Sequence, residues 1–420
     1  GTITPAMRNK ALQSSKIVCT YDVLHHITDL PERVLIVDEA HNLINHHGFR
    51  AKVLQRVVER FDIAEQTILL SGTPPQHLIK YLDFHFARIT RLKNNMVVVR
   101  AVEADKDSPR ALITQTATEI IRNHEAGKIS FVFYNNTKAL ELLKEVLVSS
   151  GHYQPDEIDI ITRAHVDSGE SQVINEITTY QKIKSNVRLV LTSCIIAEGV
   201  NIQNTNIGAV YMVNNRSIDN FRQFIARFRS VERLDVVSIR PPEKAVESSF
   251  KSLVSNDIET LSKTAKVQLE GLQREIDLHR HLYDDLEAEF YDDIQPDYNY
   301  QSNRTTEFIY SDDSGTPRMD VLKIVRVALE RVEQEMDNIF FYTQLDRYPN
   351  ITFTTDVTST TDTTEMLDCV EAVEAKEKDI RKEKEAELKA VLLSTPGVAV
   401  GAYVIGLQKA GNRGQLQRVT

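Results

Sequence analysis

Short apolar runs rich in β-branched residues recur along the first half of the chain, each bounded by polar or proline-containing segments. Residues 16–21 (KIVCTY), 34–37 (VLIV) and 67–70 (TILL) have the continuous apolar character of buried parallel strands. Between the last two, residues 51–61 (AKVLQRVVERF) space Val53, Leu54, Val57, Val58 and Phe61 at helical intervals. Strands alternating with helices predict an α/β layer architecture.

The alternation resumes after a polar linker at 103–110 (EADKDSPR). A helical pattern at 111–125 leads to the strand 129–135 (ISFVFYN) and the helix 138–150. Strands follow at 156–162, 187–193 and 207–214, then a helix at 217–229 and a strand at 234–240. This reads as a second α/β domain. Beyond residue 245 the pattern turns helical at 246–291 and at 366–393, where Glu and Lys recur four residues apart. The threonine-rich 352–365 between them reads as an exposed connector, and 397–407 (GVAVGAYVIGL) as a buried strand or hairpin.

Composition narrows the classes. With 420 residues, 41% hydrophobic and 26% charged, the chain is long enough for two or three globular domains. Its three cysteines are far apart, without metal-ligand spacing, which fits a reducing compartment. No signal segment or membrane-length apolar run is visible, so a soluble, cytoplasmic protein is expected. The net charge of −10 is uneven. Residues 251–420 carry 32 acidic and 20 basic side chains, leaving 28 and 30 in residues 1–250, so the first part has room for a local basic groove.

The chemistry concentrates at strand ends. In VDEAH (37–41), Asp38 and Glu39 follow a buried strand, where α/β sheets bind ligands. An aspartate there can hold Mg²⁺, and a neighbouring glutamate can polarise a water for attack on a γ-phosphate. Taken alone, the pair is equally a polar turn or a helix cap. SGT (71–73) ends the next strand. By itself it is a turn, but Ser71 and Thr73 have hydroxyls that can reach the carboxylates or His41. In the second domain, LTSCIIAEGVNI (191–202) sets an acidic residue, a glycine and an asparagine behind a strand end. FRQFIARFRSVER (221–233) brings Gln223, Arg227 and Arg229 near one end of a helix. Such arginines can stabilise a transferring phosphoryl group, although an Arg-rich helix alone is more simply a solvated face.

The ordered set VDEAH, LLSGTP, SFVFYNN, TSCIIAEGVNI and QFIARFRS resembles motifs II to VI of superfamily 2 helicases, the DEAD/DEAH-box-like NTPases. CTYDVL (19–24) resembles their motif Ib, and the resemblance covers residues 16–240. It implies two RecA-like parallel-sheet domains, at 1–100 and 101–245, the first incomplete at its N-terminus, plus a mainly helical, acidic C-terminal extension at 246–420. It also implies ATP and Mg²⁺ as cofactors, with Asp38 on the metal, Glu39 as catalytic base and His41 coupling the site to Ser71, Gly72 and Thr73. Glu198, Gly199 and Asn201 would lie near the nucleotide, and Gln223 would contact it, with Arg227 or Arg229 as arginine finger. Thr20, Tyr21, Asn135 and Thr192 would face nucleic acid.

Two departures stand out. Ala226 replaces the usual glycine of motif VI, and one residue separates the two arginines, a form most similar to phage, plasmid or origin-binding helicases. No GxxxxGK[ST] phosphate loop occurs in the chain, so its start is expected to lie inside the first domain. The expected activity is an ATP-dependent helicase or translocase acting on DNA rather than RNA, in replication. The alternatives are a non-catalytic scaffold with a protein partner on the acidic C-terminal region, or the motor part of a restriction or repair complex.

Overall fold

β-Branched runs bounded by polar turns become strands, and the amphipathic stretches between them become helices. In the computed structural model, residues 14–27, 29–73, 76–87, 95–197, 200–242, 253–284, 308–335, 338–354 and 362–394 are described. Along the chain the strands are β1 (Val34–Val37), β2 (Gln66–Leu69), β3 (Met96–Glu103), β4 (Ile129–Phe133), β5 (Ile158–Ile161) and β6 (Leu189–Thr192). They continue with β7 (Ile207–Val213), β8 (Arg233–Arg240), β9 (Ile309–Ser311), β10 (Pro317–Met319) and β11 (Ile351–Phe353). The main helices are α1 (His47–Glu59), α2 (Pro109–Arg122), α3 (Thr137–Ser149), α4 (Gln172–Tyr180) and α5 (Ile218–Ile225). Later come α6 (Leu253–Asp284), α7 (Val321–Glu335), α8 (Asn338–Asp346) and α9 (Thr364–Ser394).

Two compact units emerge. The first gathers Gly1–Asn94, Arg216–Ile225 and Glu243–Tyr348, and the second Asn95–Asn215, Ala226–Pro242 and Pro349–Thr420. Both are α/β, each with a parallel sheet, as the alternation predicts. The units cut across the three consecutive segments expected at 1–100, 101–245 and 246–420. Residues assigned there to one C-terminal extension pack partly with the first unit and partly with the second.

In the first unit, β1 and β2 pair in parallel, with Val34 opposite Gln66 and Val37 opposite Leu69. Leu35 and Val37 face the core, but Val34 and Ile36 are 48% and 58% exposed, so the described sheet is buried on one face only, not on both as the apolar run suggested. The buried face meets Leu24, Leu43, Leu54 and Val57, and α7 closes the same core with Leu322, Val325 and Ala328. Residues 16–20 do not form the expected strand: Lys16 lies in a bend, 17–20 have no regular structure with Val18 exposed, and no described strand pairs with them. Tyr21–His26 is a short 3-10 helix.

The second unit holds a seven-stranded sheet in the order β11-β3-β8-β7-β4-β6-β5, every pairing parallel. β4 and β6 are buried at every position, as expected of central strands covered on both faces. Helix starts are set by side-chain caps, Ser108 on the Ala111 amide ahead of Pro109, and Asn136 on the Ala139 amide. Two strands of this sheet were not anticipated: β3, and the edge strand β11 beside it, which is formed by the beginning of the threonine-rich stretch. The charged helix α9 docks here through Met366, Val370 and Val373, at i, i+4, i+7 spacing, while Arg110 pairs with Glu371 and Glu374. The expected strand at 397–407 lies outside the described residues. Among the described residues no helix is long and apolar enough to cross a membrane.

Candidate active site

The turn after β1 is built on an unusual backbone. Glu39 has φ +50, a left-handed conformation that costs a non-glycine residue about 1 kcal/mol. Three bonds hold it. The Asp38 Oδ1 accepts the Glu39 amide at 2.9 Å, the Ala40 amide donates to the Leu70 carbonyl at 2.8 Å, and the Asn42 amide donates to the Glu39 carbonyl at 2.9 Å. Strain kept in place by surrounding bonds is characteristic of functional turns. It leaves the Asp38 residue exposed and the Glu39 carboxylate 46% exposed.

His41 lies beneath, only 4% exposed, with Nδ1 2.9 Å from Ser71 Oγ and 3.4 Å from Glu39 Oε2. Ser71 Oγ also accepts the Thr73 amide at 3.1 Å, which closes the turn after β2. Thr73 is buried, and its hydroxyl accepts the side-chain amide of buried Gln223, 150 residues away, at 2.8 Å. Thus Asp38, Glu39, His41, Ser71, Thr73 and Gln223 come together within the first unit. Gly72 is exposed in the same turn, with open space around it.

Other expected residues are placed differently. Tyr21 turns its hydroxyl inward to the Asp38 carbonyl at 2.7 Å, so it buttresses the carboxylate turn instead of facing outward. Thr20 is exposed and caps the 3-10 helix without a side-chain bond. In the second unit Thr192 is fully buried. Its hydroxyl donates to the carbonyls of Ile161 at 3.2 Å and Ser193 at 3.0 Å. Asn135 is exposed and accepts the Cys194 amide at 3.2 Å. Beside it, burial pushes the Tyr134 hydroxyl pKa up, so the phenol stays protonated.

The expected helix 217–229 stops at Ile225. Arg227 and Arg229 sit in the turn that follows, where Phe228 bridges to Ile202. Arg227 reaches the Val200 carbonyl at 3.4 Å, and Arg229 is exposed. Asn201 is half-buried, with an Oδ1 that has no partner among the described residues. Glu198 and Gly199 lie outside the described residues.

Sequence reasoning missed Asp320. It is buried in the first unit, accepts the Gln55 side-chain amide at 2.6 Å and lies 3.0 Å from His47 Nε2. Its only signal was an aspartate three residues before the Lys323 amide that it caps at 3.0 Å, ahead of an apolar helical run.

No family profile matches the chain. The uncharacterized protein MJECL28 of Methanocaldococcus jannaschii is 27% identical over 254 residues, which is 59% of this chain and 19% of that protein. The chain thus spans about a fifth of that relative's length. Among solved structures it is similar to the DUF1998 helicase MrfA bound to DNA and AMPPNP, at 14% identity and a TM-score of 0.37 over 57% of this chain and 36% of that one. It is similar to the Mycobacterium smegmatis helicase Lhr bound to ssDNA and AMP-PNP, at 15% identity and 0.36 over 57% and 34%. Mss116p bound to ssRNA and AMP-PNP aligns at 14% identity and 0.37 over 83% and 73%.

Proposed function

We propose that this chain carries the motor of an ATP-dependent nucleic-acid helicase or translocase of superfamily 2, with two RecA-like domains and DNA as its track. One observation carries the reading. His41, next to the two carboxylates, holds Ser71, and Gln223 holds Thr73 two residues on, so three distant segments meet at the ends of two parallel strands.

The residues fit a magnesium nucleotide on the metal side. Among the described residues no cationic side chain neutralises Asp38, and an exposed oxygen donor suits Mg²⁺, which binds through one or two carboxylates and keeps its own waters. Bound there, the ion would neutralise charge on the β- and γ-phosphates. Glu39 would take the proton of the attacking water at its carboxylate. His41 would hold that carboxylate in place and pass changes to the Ser71–Thr73 turn, and the exposed Arg229 would meet the γ-phosphate. These 420 residues contain no GxxxxGK[ST] nest, and the proposed turnover requires one beside them.

The test compares ATP hydrolysis, with and without single-stranded DNA, by this chain and by a longer polypeptide that includes such a nest. The expected result is little turnover by the 420-residue chain and DNA-stimulated turnover by the longer one. Glu39→Gln should lower the latter by about 10²-fold or more, the scale of a lost catalytic base. A silent longer form, or one indifferent to Glu39→Gln, defeats the reading.

A further inference from the structure

Gln223 reaches Thr73 from α5, a helix of eight residues. A helix this short is marginal by itself, so its position depends on what packs against it. The packing comes from the C-terminal part of the first unit. Phe221 stands edge-on to Phe341 of α8 with ring centroids 6.1 Å apart, both side chains fully buried. On the next residue, the Arg222 guanidinium lies 4.1 Å over the ring of Tyr348, just past the end of α8. The two contacts differ in kind. The phenylalanine pair is core, whereas Arg222 and Tyr348 are each half-buried, and their contact rests on one ring face. Tyr348 is also the last residue of its segment in the first unit, and the chain continues at Pro349 into the second.

We propose that Tyr348 is a positioning residue: by seating Arg222 on its ring it holds α5, and with it Gln223, on the Thr73 turn. Withdrawal of Tyr348 releases Gln223 and leaves the Phe221–Phe341 core intact. The consequence for hydrolysis rests on the function proposed above; the mechanical claim does not.

Hydrogen exchange on the 420-residue chain tests the mechanical claim. In Tyr348→Ala and in Arg222→Ala, amides of residues 218–225 should exchange about tenfold faster, within the range of a lost cation–π contact and its packing. Tyr348→Phe, which keeps the ring face, should restore protection, and amides of β1 and β2 should be unchanged in every variant. Unaltered exchange of 218–225 in Tyr348→Ala, failure of Tyr348→Phe to restore it, or faster exchange throughout the first unit overturns the proposal. In the longer polypeptide, Tyr348→Ala should lower kcat for ATP with KM held and Tyr348→Phe should recover it. If that polypeptide hydrolyses no ATP, the proposed function falls and the exchange result still decides the role of Tyr348.

Discussion

His47 Nε2 and Asp320 Oδ2 meet at 3.0 Å across 273 residues, and both side chains are buried. The contact ties α1, which follows the carboxylate turn, to the first turn of α7. The same carboxylate oxygen takes the Gln55 amide, and the other oxygen takes the Lys323 amide at the helix start. Asp320→Ala strips all three partners of a buried acceptor. It should destabilise the first unit by about 3 kcal/mol, the cost of leaving several buried polar groups without their acceptor. Asp320→Asn keeps an acceptor oxygen and the cap, and should cost nearer 1 kcal/mol. Urea unfolding of the two variants against the parent checks the order. Equal costs would mean that the contacts of Oδ2 with His47 and Gln55, and not the cap that Asn retains, carry the stability.

The His41–Ser71 bond should show as a coupling energy. His41→Ala and Ser71→Ala each remove one side of a contact at 2.9 Å, and the double variant removes both. A double-mutant cycle in chemical denaturation should give about 1 kcal/mol of coupling, as for a hydrogen bond between partly buried side chains. Strictly additive losses would show that the two side chains are neighbours without being partners.

Much of this architecture was written in local patterns. β4 and β6 are mostly apolar runs, ISFVF and LVLT, and their burial on both faces follows from that. The carboxylate turn was legible because VDEAH and SGT each end a strand, and parallel pairing brings the two turns side by side. Contacts that depend on the return of the distant chain were not legible. Asp320 is an ordinary cap until His47 and Gln55 surround it, and β11 looks like polar threonine sequence until it pairs with β3. The resemblance placed Tyr21 and Thr192 towards nucleic acid, and it gave no sign that both hydroxyls donate to backbone carbonyls. Strand β3, with Val97 and Val99 buried in alternation, had a readable signal that the neighbouring linker obscured.

Acid should loosen the β9–β10 hairpin. Burial by itself would raise the Asp312 pKa, but bonds from the Ser314 hydroxyl, the Arg318 guanidinium and the Thr316 and Ser314 amides outweigh it and hold it at about 2. The folded value lies below the unfolded value of 3.8, so the stabilisation is complete above that value and is lost as pH falls from about 4 toward 2. Titration of the hairpin by amide exchange should show this window in the parent chain. In Asp312→Asn the window should vanish, with the hairpin equally loose at pH 6 and pH 3. Persistence of the window in that variant would assign it to another carboxylate.

The two arginines after α5 should separate by phenotype. Arg227 is half-buried and reaches the Val200 carbonyl, so its side chain supports the loop that carries Asn201. Arg229 is exposed, and in the proposed motor it is the residue that meets the transferring phosphate. Arg229→Ala in the longer, phosphate-loop-containing polypeptide should therefore cut kcat about 10³-fold, the lower end of an arginine-finger effect, while leaving thermal stability unchanged. Arg229→Lys should recover little, because an ammonium cannot make the paired contacts of a guanidinium. Arg227→Ala should instead lower the melting temperature and alter turnover less than tenfold, consistent with loss of a single charge-assisted bond to a carbonyl. If Arg227→Ala abolishes turnover at unchanged stability and Arg229→Ala is near neutral, the assignment is reversed.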